Sequence, residues 1–261
     1  MKVFLFALLL VSAGSAAAQT APTAAATPDS AARAQGEAIV NRYLTMVDYS
    51  PMIDDSVLFV TSFVVDRAYP SDTMILYRWW QRHNRSRVEV WQNGMMDDAM
   101  YTDGNRLHRR FVSGNRSWAD ITQGSYSDRI VSLDIRGALY GWEAKGAEIA
   151  YAGEYELEGT KVDQVFVTCP GMFDRHYFFE KESGLLFLVT EDNHIYGDQK
   201  IDERMTRCDW RGWHEFVPFR GCLLPSSESY QANQNQTVII THTYSCIAPD
   251  DRLFTEDFRK R

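Results

Sequence analysis

From residue 56 onward the chain is a string of short runs rich in β-branched and aromatic residues, each ended by turn formers. SVLFVTSFVVD, TMILYRWWQR, SRVEVWQNG, DAMYTDG and RLHRRFVSG come first, separated by Pro70-Ser71, the Asn84 segment, Asn93-Gly94 and Asp103-Gly104. Runs of this length and composition read as strands, and the residues between them as turns. No strand–helix–strand alternation appears, so the pattern predicts a meander of antiparallel strands rather than a parallel α/β sheet. GEYELEGTKVDQVFVTC adds two strands around a Glu-Gly turn, and QKIDERMTRCDW, CLLPSSESYQ and TVIITHTYSCI complete the run. About ten strands and a few helices are expected, an α+β, mainly β, fold.

One hairpin stands out. In YFFEKESGLLFLVTED, residues 177–192, a type I turn with Gly184 in a left-handed bulge would place Tyr177, Phe179, Leu185, Phe187 and Val189 on one face. Phe178, Leu186 and Leu188 take the other. Both faces are apolar, whereas a half-buried strand has one apolar face and one polar. A flat sheet of this length curls. If it closes only partly, helices must cover its concave side; one hairpin face packs beneath them and the other needs a partner or a place at the rim. Ordinary core packing at both faces fits these residues, and so does a hydrophobic cavity between sheet and lid.

Helices are expected in two places. SAARAQGEAIVNRYLTMV, residues 30–47, sets Ile39, Val40, Tyr43, Leu44 and Val47 along one stripe. Ser30 or Asp29 can cap its start, and Tyr49-Ser50-Pro51 ends it. SYSDRIVSLDIRGALYGWEAKG, residues 125–146, has a cap at Ser127 and helically spaced Ile130/Leu133 and Leu139/Trp142, broken by Gly137 and Gly141. It reads as one or two short helices crossing the sheet.

The chain opens with Lys2, the apolar segment VFLFALLLV and Ala16-Ala17-Ala18 before Gln19. Residues 1–18 therefore read as a secretory signal whose apolar run is too short to span a bilayer. No cysteine near the cut offers a lipoprotein anchor, and no later stretch is apolar enough to cross a membrane. Residues 19–29 read as a flexible leader and 30–261 as one domain, exported to the periplasm. A formal net charge of −8 opposes nucleic acid, whose backbone needs a positive surface, despite the Arg/Trp run YRWWQRHNRSRVEVW.

All four cysteines, Cys169, Cys208, Cys222 and Cys246, lie in the last third, and in an exported protein they read as disulfides. Cys222 and Cys246 sit symmetrically about Gln234, so cross-strand facing would leave Cys169 with Cys208; a Cys208–Cys222 bridge across the Trp213–Phe219 loop is the alternative. No CxxC spacing supports zinc.

Little in the sequence points to chemistry. None of the six histidines, His83, His108, His176, His194, His214 and His242, forms HExxH or sits beside a recognisable nucleophile motif. Asp192, Asn193, Asp198 and Asp202 imitate calcium ligands without the EF-hand order and read as a polar hairpin loop. Glu154, Glu156 and Glu158 alternate along a solvated strand face. Sequons at Asn84, Asn115 and Asn235 matter only in a eukaryotic secretory pathway. No catalytic residue, metal or cofactor is expected, and an enzyme is not the favoured reading.

The arrangement resembles the LolA-like periplasmic lipoprotein-sorting carriers. The likeness rests on the amphipathic helix directly after a signal peptide and on the strand–Asp-Gly–strand step YTDGNRL at 101–107. It rests also on the hairpin YFFEKESGLLFLVTED and on the close CLLPSSESY followed by TVIITHTYSCIAPDDRLFTEDF. Together these cover most of residues 30–258. The resemblance implies an unclosed β-barrel covered by a few helices, with a hollow apolar interior that holds the acyl chains of lipoproteins or other lipids. The cysteines, the WW and WRGW aromatics and a long 209–221 loop depart from it. Arg78 is the candidate for the arginine that helps hold the lid closed.

Two functions follow. In the first, a carrier buries acyl chains at about 0.8 kcal/mol per methylene. Its cavity wall would be Leu76, Trp80, Val88, Val90, Phe178, Leu186 and Leu188, with Ile75, Tyr77, Trp79 and Phe179 the alternatives if the register slips by one. In the second, a cell-envelope interaction module with a filled interior presents its outer aromatic faces to a protein partner.

Overall fold

The computed structural model describes residues 29–50, 56–67, 73–81, 85–103, 106–111, 119–120, 139–157, 159–169, 174–191, 210–232, 236–256 and 258. The signal segment, the leader up to residue 28, residues 125–138, the acidic cluster at 192–202 and the sequon asparagines lie outside them. So does QKIDERMTRCDW up to residue 209.

Ser30–Val47 form α1. Asp29 is its N-cap and accepts a hydrogen bond from the Ala31 N–H at 3.3 Å. Asp48 ends it by turning left-handed, φ 38°, so the helix stops before the proline signal takes effect. Val40, Tyr43 and Val47 of the expected stripe are buried, with Ile39 and Leu44 packed partly against the same core.

The strands are Val57–Asp66 (β1), Thr73–Gln81 (β2), Arg85–Gln92 (β3), Met95–Asp103 (β4), Leu107–Phe111 (β5) and Ala119–Asp120 (β6). A second set follows: Glu148–Leu157 (β7), Thr160–Thr168 (β8), Arg175–Glu180 (β9), Leu186–Glu191 (β10), Trp210–Phe219 (β11), Cys222–Ala232 (β12) and Gln236–Ile247 (β13). All lie in one antiparallel sheet ordered β6-β5-β4-β3-β2-β1-β13-β12-β11-β10-β9-β8-β7. Two meanders thus meet where β1 pairs with β13, from Val57–Ile247 to Asp66–Val238. β6 and β7 stand at opposite ends with no pairing between them among the described residues, so the sheet is unclosed.

Strand alternation gives the sheet two distinct faces. On the face that carries α1, Leu58 and Val60 of β1 join Trp80 of β2, Val165 of β8, Tyr177 and Phe179 of β9 and Leu224 of β12 in the largest core. Residues 139–146, the described part of the expected helical segment, are turns that add Leu139 and Trp142 to this core. Gly36 lets α1 approach β7 closely: a Cβ there would lie 2.8 Å from the Tyr151 backbone nitrogen.

The opposite face is covered by the chain's own end. A 3-10 turn, Asp251–Phe254, lays Leu253 and Phe254 over Val57 and Trp79, with Phe59, Tyr77, Ile247 and Phe258 around them. Arg87, almost fully buried, anchors this strap. It bonds Glu89 at 2.8 Å and donates to the backbone oxygens of Leu253 (3.4 Å) and Thr255 (3.0 Å), with its guanidinium 4.8 Å from the Phe258 ring centroid.

The sequence reading needs three corrections. The expected 209–221 loop is largely β11, which pairs with β12 from Trp210–Gln231 to Phe219–Cys222. β10 pairs with β11 only over residues 210–212, so among the described residues Pro218 has β12 as its one paired neighbour. In the 177–192 hairpin Gly184 is left-handed, φ 75°, as expected, but a bulge between Leu186 and Leu188 exchanges two side chains. Leu186 joins Tyr177 and Phe179 under α1, and Phe187 joins Phe178 and Leu188 opposite. The third correction is the Cys222–Cys246 bridge, which is not formed. The β12–β13 ladder ends at Ser227–Thr241, short of both cysteines. Cys222 is buried in the helix-side core, while Cys246 is an exposed free thiol facing Leu58 in the ladder. Cys208 lies outside the described residues.

Candidate ligand-binding face

The helix-side face continues past α1, which packs mainly on β7 with lesser contact to β8 and β12. Beyond it, Val64 of β1, Met74 and Leu76 of β2, Val90 of β3 and Val238 and Ile240 of β13 form a second apolar cluster. Ladder register explains the grouping: Val64 faces Met74 on one side and Ile240 on the other, and Leu76 faces Val90.

The predicted wall residues divide between the two faces. Leu76, Trp80, Val88, Val90 and Leu186 lie on the helix side. Phe178 and Leu188 lie on the other, in a cluster with Leu157 and Val162. Of the alternates, Phe179 is on the helix side, while Tyr77 and Trp79 lie under the C-terminal strap. Ile75, facing Phe63 in the ladder, shares the side of Tyr77 and Trp79. The β2 and β3 residues of the expected wall thus share one face, whereas in the 177–192 hairpin Leu186 is separated from Phe178 and Leu188.

Three polar side chains interrupt the apolar face in a row across β1, β13 and β12. The Ser62 Oγ is 2.8 Å from His242 Nδ1, and His242 Nε2 is 3.0 Å from Glu228 Oε1. Ser62 is 4% exposed and Glu228 5%. A carboxylate only accepts, so His242 Nε2 carries a proton and donates to Glu228; in the neutral imidazole Nδ1 then accepts from the Ser62 hydroxyl. Tyr244, beside them, donates to the Pro225 backbone oxygen. Its hydroxyl is driven far above the ordinary tyrosine range by burial and then by the Glu228 charge, with Arg78 opposing. Further along, Arg109 clamps Asp98 through Nε and Nη2, the shortest contact being 2.6 Å; burial raises the Asp98 pKa against that pairing.

Arg42 ties α1 to the hairpin. Its guanidinium donates to the backbone oxygens of Lys181 (3.3 Å) and Glu182 (3.1 Å), in the turn that Gly184 closes. Gly184 takes φ 75°, which strains any other residue, and a Cβ there would meet the Arg42 Nε at 2.7 Å and push the clamp aside. Arg78, which the resemblance offers as a lid-holding arginine, projects from the helix-side face of β2 near Tyr244. No sequence signal marked Arg42 for the clamp.

On the opposite face, Arg85, Tyr101, Asp103, Phe254, Thr255 and Glu256 line a cleft of about 650 Å³ beside the strap. Arg85 bonds Asp251 at 3.0 Å and lies 4.6 Å from the Phe254 ring centroid. Among the described residues no group of His, Cys, Asp and Glu side chains is arranged to hold a metal ion, and no helix is long and apolar enough to cross a membrane.

No family model and no curated protein matches the sequence. Solved structures do match in shape. A LolA superfamily protein from Nitrosomonas europaea superposes with a TM-score of 0.55 at 11% identity, over 85% of this chain and 98% of that one. A DUF1329 family protein from Desulfovibrio piger gives 0.54 at 9% identity, over 86% and 98%. A putative outer membrane lipoprotein-sorting protein domain from Vibrio parahaemolyticus gives 0.54 at 8% identity, over 85% and 97%. The fold is LolA-like: a mainly β, unclosed antiparallel sheet with a helix on one face.

Proposed function

We propose that the protein is an exported, periplasmic binding and carrier protein that shelters the acyl chains of lipoproteins or other lipids on the helix-side face of its sheet. The observation that carries this reading is the apolar stretch of β1, β2, β3 and β13 that continues beyond the main contacts of α1. The LolA-like fold supports it, as does the lipoprotein-sorting description of one similar structure. The proposed wall is Leu76, Trp80, Val88 and Val90 with Val64 and Ile240. Each methylene transferred there from water contributes about 0.8 kcal/mol, so binding needs no single decisive residue. Arg42 and the 181–184 turn would hold α1 in place while the face is occupied.

Native mass spectrometry of protein purified from its own host tests the reading. The expected result is a lipid or acylated adduct, together with uptake of a fluorescent fatty acid; absence of both would defeat it. A protein-interaction module is the second reading, favoured by Phe63, 43% exposed on the opposite face beside half-buried Ile75 and Val65. Recovery of one stoichiometric protein partner, with no lipid, would select it.

A further inference from the structure

The row Ser62–His242–Glu228 has the connectivity of a nucleophile, its base and the group that orients the base. The sheet builds it from three neighbouring strands. Ser62 of β1 faces His242 of β13 directly in the ladder, and Glu228 of β12 faces Ile240, one step along the same face as His242. The Nε2 proton points at the carboxylate, and in the neutral imidazole this leaves the Nδ1 lone pair on the serine hydroxyl. A serine hydroxyl held at 2.8 Å from a free imidazole lone pair is the arrangement general-base activation requires.

We propose that Ser62, His242 and Glu228 form an acyl-transfer site that cleaves esters of acyl chains, with Ser62 as nucleophile, His242 as base and then acid, and Glu228 as the positioning residue. The acyl class follows from the surroundings. Val60 and Val64 flank Ser62 on its own strand, Leu76 faces it across β2, and Ile240 lies beside His242. Arg78 is the diagonal neighbour of Ser62 on β2 and brings the positive charge that can hold a developing oxyanion on this face.

The step balances without a cofactor. The Ser62 Oγ bonds to the carbonyl carbon of the ester as its proton passes to His242 Nδ1. The carbon–oxygen bond to the leaving alcohol breaks, and that oxygen takes the proton from His242. Water then adds to the acylated Ser62, gives a proton to His242, and the acyl–Oγ bond breaks. A carboxylic acid leaves, and the Ser62 hydroxyl is restored. The row is buried among Val60, Val64, Leu76 and Ile240, so long acyl chains, which gain from that apolar surround, should outperform acetyl.

The mature chain is tested with p-nitrophenyl esters from acetate to laurate and with an alkyl fluorophosphonate, each with and without detergent below its micelle concentration. The expected result is p-nitrophenol release that rises with chain length, and one fluorophosphonate adduct on the β1 peptide at Ser62. Ser62→Ala should abolish both, and Glu228→Gln should slow hydrolysis by about 100-fold while leaving chain-length preference intact. Ser245→Ala, on the opposite face of β13, should change neither. Should Ser62→Ala fail to fold, Ser62→Cys replaces it, with the expected adduct moving to iodoacetamide at that position. No adduct at Ser62 in either condition, or hydrolysis unchanged in Ser62→Ala, overturns the proposal. Because lipid retention is measured separately, a chain that carries lipid without cleaving esters, and one that does the reverse, are told apart.

Discussion

At the scale of single residues, burial decides how groups respond to their surroundings. Tyr43 is enclosed between α1 and the sheet, its ring 5.5 Å from that of Phe179. Burial pushes its hydroxyl from the usual 10.0 up to about 12, against an opposing hydrogen bond from Tyr49. A tyrosine harder to ionise when folded adds stability that is whole below pH 10 and is lost as the pH rises through about 12. Tyr43→Phe should therefore make stability fall less steeply across that alkaline window, as read by denaturant midpoints at successive pH values; an unchanged slope would contradict the assignment. Gly36→Ala should destabilise by about 1–3 kcal/mol, because the added methyl meets the β7 backbone rather than a side chain that could turn aside. Residue-level signals of local origin were legible: Asp29 as a cap, Gly184 as a left-handed turn residue, the buried stripe of α1. Gly36 was not, because its role is set by a strand more than a hundred positions away. The same holds for Ser62 and His242, which lie 180 positions apart.

At the scale of elements, two attachments hold pieces of chain to the sheet. The C-terminal strap buries Leu253 and Phe254 and supplies the carbonyls that satisfy Arg87. Phe254→Ala should cost about 3–5 kcal/mol, measured by chemical denaturation, since it removes a fully buried ring and loosens the cover over a buried ion pair. A loss within error would mean that the strap is peripheral. Arg42 is exposed, so Arg42→Ala should lower global stability by about 1 kcal/mol or less. Hydrogen exchange should nevertheless quicken at residues 181–184 and in α1, while β1 and β2 stay protected. Uniform acceleration would contradict a local clamp. Most strands were legible from composition and turn residues, including the Asn93-Gly94 hairpin turn, where both residues take positive φ. β11 was not, because Gly212 and Pro218 carry the same local signature in a strand with one short pairing as in a loop. The bulge near Phe187 was also hidden: alternation predicts faces only while the register is unbroken.

At the scale of the molecule, the decisive feature is that the first and last long strands lie side by side. β1 and β13 form the seam, so the two ends of the sequence build the centre of the sheet and the middle of the sequence builds its edges. Strand order of this kind has no local signal, although the curling of so long a sheet and the resemblance to LolA-like proteins both pointed to partial closure under a helical cover. That seam brings Val64, Met74, Leu76 and Ile240 into one apolar surface on the helix side, with the C-terminal strap occupying the opposite side. The most direct test is cross-linking with a fatty acid bearing a diazirine on its chain, followed by peptide mapping. Adducts are expected on helix-side residues of β1, β2, β3 and β13, such as Val64, Leu76, Val90 and Ile240. Adducts confined to the strap side, around Tyr77, Trp79 and Phe258, or none at all, would contradict acyl binding on the helix-side face.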